Sequence, residues 1–173
     1  MAEHFVVQWI ISDIQENLDP NQFGNRKGVS TSHYLVKLVD HLAAHADLPK
    51  SYSSLVVTDF TKAFDLTDHN IVIRDLLQLG TRPSVISWVC NFLSERSQCV
   101  KYKNVLSNFN VLKGGLPQGT KFGPLGFLAK FNSAVRLDNL AENNVRLLSL
   151  KYVDDMTIVE SSRGMISTQC NLF

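Results

Sequence analysis

At 173 residues the chain fits one domain, or about one and a half on a prior of roughly 100–200 residues each, with length enough for one sizeable core. Hydrophobic residues make up 45% and charged residues 19%, which excludes disorder, collagen and a disulfide-rich mini-protein. The net charge of +1 lacks the basic excess that a nucleic-acid grip usually shows.

In chain order, His4–Leu18 patterns as an amphipathic helix with Phe5, Val6, Trp9, Ile10 and Ile14 near one face, ended by Asp19-Pro20-Asn21. A polar turn with Gly24 and Gly28 leads to Ser30-Thr31-Ser32, which offers N-caps for a second helix to about Ala46. Its expected apolar face is Leu35, Leu38, Val39, Leu42 and Ala46. Ser54–Thr58 is short and β-branched, so a buried strand is expected, ending at Asp59. Asp68 can cap a helix over His69–Leu79 that Gly80 stops, and Pro83 opens another to about Ser94. Gln98–Lys103 and Phe109–Leu112 read as a hairpin around residues 104–108. A tight glycine-rich turn, Gly114–Gly119, precedes a helix over Pro124–Leu140. Arg146–Val153 and Met156–Glu160 read as paired strands around an Asp154-Asp155 turn. Helices and strands alternate without strict order, so the class is α+β or mixed α/β.

The near-zero charge hides segregation. Residues 1–25 carry four acidic and no basic residues, whereas residues 94–121 carry five basic residues against Glu95. On charge alone, a solvated hairpin with scattered lysines is the favoured reading of that stretch. The three cysteines, Cys90, Cys99 and Cys170, form no CxxC pair, which argues against zinc and redox motifs and for thiols in a reducing compartment. With no apolar run of about 18 residues and no basic n-region before Phe5–Ile11, an intracellular chain that is neither secreted nor membrane-spanning is expected.

Asp59 ends one apolar strand, and Asp154 and Asp155 tip an apolar hairpin. If these strands are neighbours, three carboxylates converge. Two like charges about 4 Å apart repel by about 4 kcal/mol at an effective dielectric near 20, so such a cluster needs a proton or a cation. Oxygen-only ligands suit Mg²⁺ or Mn²⁺, and two such ions are a standard device for phosphoryl transfer. Asp-Asp in a hairpin is also ordinary turn chemistry, so the pair alone does not single out a metal site.

Taken together, the motifs resemble the reverse transcriptase domain of non-LTR retrotransposons, over about Glu3 to Glu160. Gln22-Phe23-Gly24-Asn25-Arg26-Lys27-Gly28 with Ser30-Thr31 looks like that family's QFG-x-R-x-G-x-ST fingers motif. Asp59-Phe60-Thr61-Lys62-Ala63-Phe64-Asp65 with Asp68-His69 is similar to its first catalytic motif. Gly115–Thr120 with Gly123-Pro124-Leu125 resembles its PQG motif, and Tyr152-Val153-Asp154-Asp155 its YxDD motif. The resemblance implies an α+β right-hand polymerase with an RRM-like antiparallel palm sheet: residues 1–50 mainly fingers, 51–160 mainly palm, 161–173 a tail. It implies RNA-directed DNA polymerisation by two-metal nucleotidyl transfer, with Mg²⁺ or Mn²⁺, an RNA template, a DNA primer and dNTPs.

Residue by residue, it makes Asp59, Asp154 and Asp155 the metal-binding carboxylates, with the Phe60 carbonyl beside one ion. Phe64 falls at the steric gate that rejects a 2′-OH, against the plainer reading of a core Phe. Gln118 and Gly119 would lie by the incoming base pair. Arg26 and Lys27 are triphosphate candidates or exposed loop charges, and Lys62 is a lesser one. Lys101, Lys103, Lys113 and Lys121 would flank the template–primer path, contacting phosphates without reading sequence.

Two departures stand out. Where the family carries an acidic residue after the third motif's helix, this chain has Phe131-Asn132-Ser133-Ala134-Val135, and Gly126 stands where Leu is usual, at roughly 1 kcal/mol against Ala in a helix. Relaxed packing or sequence decay is the expectation. The family's later lysine motif, primer grip and thumb do not follow Glu160, so weak or no polymerase activity is expected of this chain alone. The alternative function is a non-catalytic retroelement remnant that at most binds nucleic acid. A phosphotransferase using Asp59 and Asp65 is a third reading, which the motif order disfavours. His41 and His45, at i and i+4, have no third metal ligand near in sequence, and the helix face they share with Tyr34 and Lys37 reads as solvated.

Overall fold

Val6, Val7, Ile10 and Ile14 recur at helical spacing, and in the computed structural model they form the buried side of helix α1 (Ala2–Ile14). The structure describes residues 2–135 and 145–163. The chain divides into two units, Met1–Asp19 with Thr61–Ser133, and Pro20–Phe60 with Ala134–Phe173.

In the first unit α1 stops at Ile14, short of the expected Leu18. The chain tightens there, with Asn17 N–H on the Ile14 carbonyl at 2.9 Å, and the Asn17 side chain donates to the Leu79 carbonyl. Helix α3 (His69–Gln78) begins at Asp68, whose carboxylate accepts the Asn70 N–H at 2.7 Å, and Gly80 at φ +95° closes it. Pro83 opens α4 (Pro83–Leu93). Helix α5 (Phe122–Asn132) is buried nearly all round and packs on α1 and α3. It starts before Pro124, whose missing N–H falls among the unpaired donors of a first turn. It ends at Asn132; the expected continuation over residues 136–140 lies outside the described residues, as do Cys170 and the tail from 164.

The acidic N-terminus has structural work here. A Glu3 carboxylate oxygen accepts the Phe122 N–H at 3.0 Å, at the positive end of α5. Asp13 takes the Arg82 guanidinium, which holds the Asp13 carboxyl below its usual range. Asn132, in the stretch without the family's acid, ties the end of α1 to α5 by accepting the Asp19 N–H at 2.6 Å. Packing around Gly126 is tight rather than relaxed. A Cβ there would stand 3.1 Å from Leu116 and 3.2 Å from the Phe122 ring.

The expected hairpin forms as two nested short pairs, β2 (Ser97–Gln98) with β5 (Asn110–Val111) and β3 (Lys101–Tyr102) with β4 (Val105–Leu106). Between them the Ser107 hydroxyl takes the Val100 N–H at 2.9 Å and interrupts the ladder.

In the second unit β1 (Ser51–Thr58), β6 (Val145–Tyr152) and β7 (Asp155–Arg163) make an antiparallel sheet in the order β1-β7-β6. Helix α2 (Thr31–Ala46) packs on β1 and β6. Phe23, Leu148, Leu150 and Val159 form its buried cluster, with Tyr34, Leu38, Leu42 and Tyr152 packed against it.

Two expectations fail in this unit. The α2 stripe is turned: Leu35 and Val39 are 53% and 61% exposed, while His45 is buried and His41 half-buried. The sheet beneath presents hydroxyls, and the polar side of α2 can bond them. Tyr34 Oη donates to Thr157 Oγ1, and His41 Nε2 lies 3.3 Å from Ser161 Oγ. Burial, with His45 and Arg146 nearby, holds the His41 imidazole below its ordinary pKa. Second, β1 is not a buried strand. It pairs only with β7 among the described residues, and Tyr52, Leu55 and Val57 are exposed.

Candidate active site

The register places the first carboxylates. Thr58 pairs with Met156 as the last pair of the β1–β7 ladder, so Asp59 leaves β1 at the end of the sheet where Asp155 begins β7. Tyr152 pairs with Asp155, so the two-residue turn of the β6–β7 hairpin is Val153-Asp154, one position earlier than expected. Asp154 is half-buried, and Asp59 and Asp155 are exposed. Their oxygen-only chemistry suits a hard divalent cation. Among the described residues, however, no group of three or more His, Cys, Asp and Glu side chains is disposed to hold a metal ion. Phe60, whose carbonyl would adjoin such an ion, follows Asp59 and is exposed.

The turn is strained and braced. Val153 has φ +56°, at the first turn position, where hairpins favour glycine. An L-residue there costs roughly 1–2 kcal/mol. Residues 21–24 lie along the edge of β6. Phe23 N–H donates to the Lys151 carbonyl at 2.8 Å, Lys151 N–H donates to the Asn21 carbonyl at 2.9 Å, and Gln22 and Lys151 form a parallel bridge. Gly24 then meets Val153 directly: a Cβ on Gly24 would stand 2.1 Å from the Val153 nitrogen. Arg26 Nη1 donates to the Gln22 carbonyl at 3.0 Å, so this triphosphate candidate also secures its own loop, while Lys27 is exposed.

In the other unit residues 61–69 and the PQG turn are laced together. Gly115 N–H donates to the Thr67 carbonyl at 2.8 Å, Leu116 N–H to the Phe64 carbonyl at 2.9 Å, and His69 Nε2 lies 2.7 Å from the Gly115 carbonyl. Gly115 has φ +86°, and a Cβ there would stand 2.9 Å from the Asp65 carbonyl. Phe64 is half-buried, its ring stacked on Phe127 at 4.7 Å between centroids. Gln118 Nε2 reaches an Asp65 carboxylate oxygen at 3.4 Å, and open space surrounds Gly119. Asp65, Arg96, Gln98, Gly115 and Gln118 line a cleft of about 600 Å³.

Lys101, Lys103, Lys113 and Lys121 are all exposed, which leaves a phosphate path and a solvated hairpin both open. Lys103 lies over the Tyr102 ring at 5.4 Å, and Tyr102, Val105 and Phe109 are exposed beside it. Four contacts went unread in the sequence: Glu3 on α5, His69 on Gly115, Tyr34 on Thr157 and Gly24 on Val153. The glycine inside QFG and the histidine after Asp68 were their visible signals.

Comparison with known proteins agrees with these motifs. The family model described as reverse transcriptase (RNA-dependent DNA polymerase) matches residues 5–171. The chain is 30% identical over 148 residues to the probable RNA-directed DNA polymerase from transposon BS of Drosophila melanogaster, covering 84% of this chain and 16% of that protein. It is 24% identical over 163 residues to the RNA-directed DNA polymerase from mobile element jockey of the same organism, covering 92% and 17%. Among solved structures, Candida albicans telomerase in complex with a TWJ fragment of telomeric RNA matches with a TM-score of 0.61 at 13% identity, over 91% of this chain and 30% of that one. Apo telomerase from Candida tropicalis matches at 0.56 and 17% identity, over 91% and 32%. At such identities the likeness speaks to the fold alone, a mixed helix-and-sheet arrangement. The chain spans 16% and 17% of the length of the two curated relatives.

Proposed function

Because the chain belongs to the reverse transcriptase family, we propose that it is the RNA-directed DNA polymerase domain of a non-LTR retroelement, joining dNTPs to a DNA primer on an RNA template. The carrying observation is the β1–β7 register, which brings Asp59 and Asp155 to one end of adjacent strands with Asp154 in the turn between β6 and β7. In this reading the β1-β7-β6 sheet belongs to an RRM-like palm spanning 51–160, with residues 1–50 mainly fingers.

The reaction forms a bond from the primer 3′-oxygen to the α-phosphorus and breaks the α–β phosphoanhydride bond. The hydroxyl gives up its proton, and pyrophosphate leaves. Asp59, Asp154 and Asp155, with the Phe60 carbonyl, would hold two Mg²⁺ or Mn²⁺ ions, which supply charge stabilisation at the attacking and leaving oxygens. The chain's own groups do the rest. Phe64 presents a flat ring against a 2′-OH, and its stack on Phe127 fixes the ring plane. Gln118 and Gly119 contact the incoming base pair, and the open space at Gly119 leaves its backbone accessible. Arg26 and Lys27 take the triphosphate, and Lys101, Lys103, Lys113 and Lys121 take backbone phosphates. A second reading, a nucleic-acid-binding remnant without catalysis, is favoured by the lack of a ready metal-holding cluster among the described residues.

Primer extension on a primed RNA template separates the two. The polymerase reading expects weak, Mg²⁺-dependent dNTP addition that disappears in Asp154→Asn. Template binding with no addition at any chain concentration supports the remnant.

A further inference from the structure

Gly24 is buried, and its φ lies outside the left-handed range, so its backbone conformation does not call for glycine. Space does. A Cβ would stand 2.1 Å from the Val153 nitrogen, 2.8 Å from its Cα and 2.9 Å from Cγ2. Contacts below 3.0 Å essentially never occur for real Cβ atoms, so any side chain at 24 must drive the two backbones apart. The residue it would displace is Val153, a β-branched residue held at φ +56° and joined directly to Asp154.

The segment before Gly24 has no slack to absorb the displacement. Its register on β6 is fixed by the hydrogen bonds that join Asn21 and Phe23 to Lys151, and the Phe23 ring is seated in the buried cluster. On the far side, the Arg26 guanidinium holds the Gln22 carbonyl. The segment is therefore pinned up to the contact, and the turn is the part left to move.

We propose that the segment over residues 21–24 is a positioning strap for the β6–β7 turn: Gly24 seats Val153 in its left-handed conformation and thereby places the Asp154 carboxylate. This rests on the reading of Asp59, Asp154 and Asp155 as metal ligands. Gly24 is a positioning residue in this account and touches no reactant. Sites of this kind tolerate displacements of only about 0.5 Å, and a Cβ at Gly24 demands more than that.

The test uses the 173-residue chain and two readouts. Mn²⁺ affinity by calorimetry is expected to fall by about tenfold or more in Gly24→Ala, since a misplacement near 1 Å is costly at a reacting centre. Backbone amide NMR is expected to show the Val153, Asp154 and Asp155 signals displaced, with the Leu55 and Val159 signals in place. Leu38→Ala, which weakens the packing of α2 on the same cluster but lies outside the strap, is expected to lower the melting temperature and leave Mn²⁺ affinity within about threefold. Val153→Gly removes the Cγ2 contact and frees the turn backbone to shift away from the new Cβ, so Gly24→Ala is expected to do far less harm in that background. Should Gly24→Ala alone fail to fold, folding of the double variant supports the strap, and failure of both variants overturns it. Unchanged turn signals in a folded Gly24→Ala also overturn it. If the unsubstituted chain takes up no Mn²⁺, the metal-ligand reading fails, and the amide signals alone decide the strap.

Discussion

Replacing Leu150 by Ala tests whether the sheet's support lies where the structure puts it. Leu150 is fully buried, among Phe23, Leu148 and Val159. Leu→Ala at such sites costs about 2–5 kcal/mol, depending on how far the surroundings collapse. Two features bear on that range. The backbone cannot slump, because β6 is bonded to β7 along one edge and to Asn21 and Phe23 along the other. The helix side can yield, because Leu38, Leu42 and Tyr34 are only partly buried. A cost of about 3 kcal/mol follows, roughly a hundredfold in the opening equilibrium. Val57→Thr is the contrast: Val57 is 64% exposed on β1, and Thr keeps the β-branch, so its cost stays within about 0.5 kcal/mol. The assay is amide hydrogen exchange of β6 and β7. Tryptophan fluorescence would miss the event, since Trp9 and Trp88 both lie in the other unit. A Leu150→Ala cost under about 1 kcal/mol, or a Val57→Thr cost as large as that of Leu150→Ala, refutes the reasoning.

Two further predictions concern pH and packing. His41 has a folded-state pKa below its ordinary 6.5, and His45, Arg146, Asp40 and Ser161 face it. Its contribution is therefore complete above 6.5 and is lost as pH falls toward the folded value, because the unfolded chain takes the proton first. The melting temperature is expected to drop on acidification from about pH 7.5 to 5.5, with a shallower drop in His41→Gln; superimposable profiles contradict this. Gly126→Ala gains about 1 kcal/mol of helix propensity but forces Leu116 and the Phe122 ring aside, and overpacking costs about 1–3 kcal/mol, so denaturant titration should show a net loss.

The starts of α3 and α4 and the β-hairpin were legible because local chemistry fixes them: the Asp68 cap, Pro83, and apolar runs on each side of the YVDD turn. The face of α2 was not. Hydrophobicity alone favoured Leu35 and Val39 as the inward side, but the helix answers to the hydroxyls of Thr157 and Ser161, which lie far along the chain. The exposure of β1 was hidden for a similar reason, since an apolar strand reads alike whether or not anything covers it. The same limit applies to the site. Motif order supplied the carboxylates, while the seating of Gly24 on Val153 depends on a backbone approach that no spacing rule expresses.

The central claim is that Asp59, Asp154 and Asp155 together hold divalent cations. Calorimetric Mn²⁺ titration of the chain tests it most directly. The account predicts saturable binding that Asp59→Ala and Asp154→Asn each abolish. Absence of saturable binding, or binding that survives both substitutions, contradicts it.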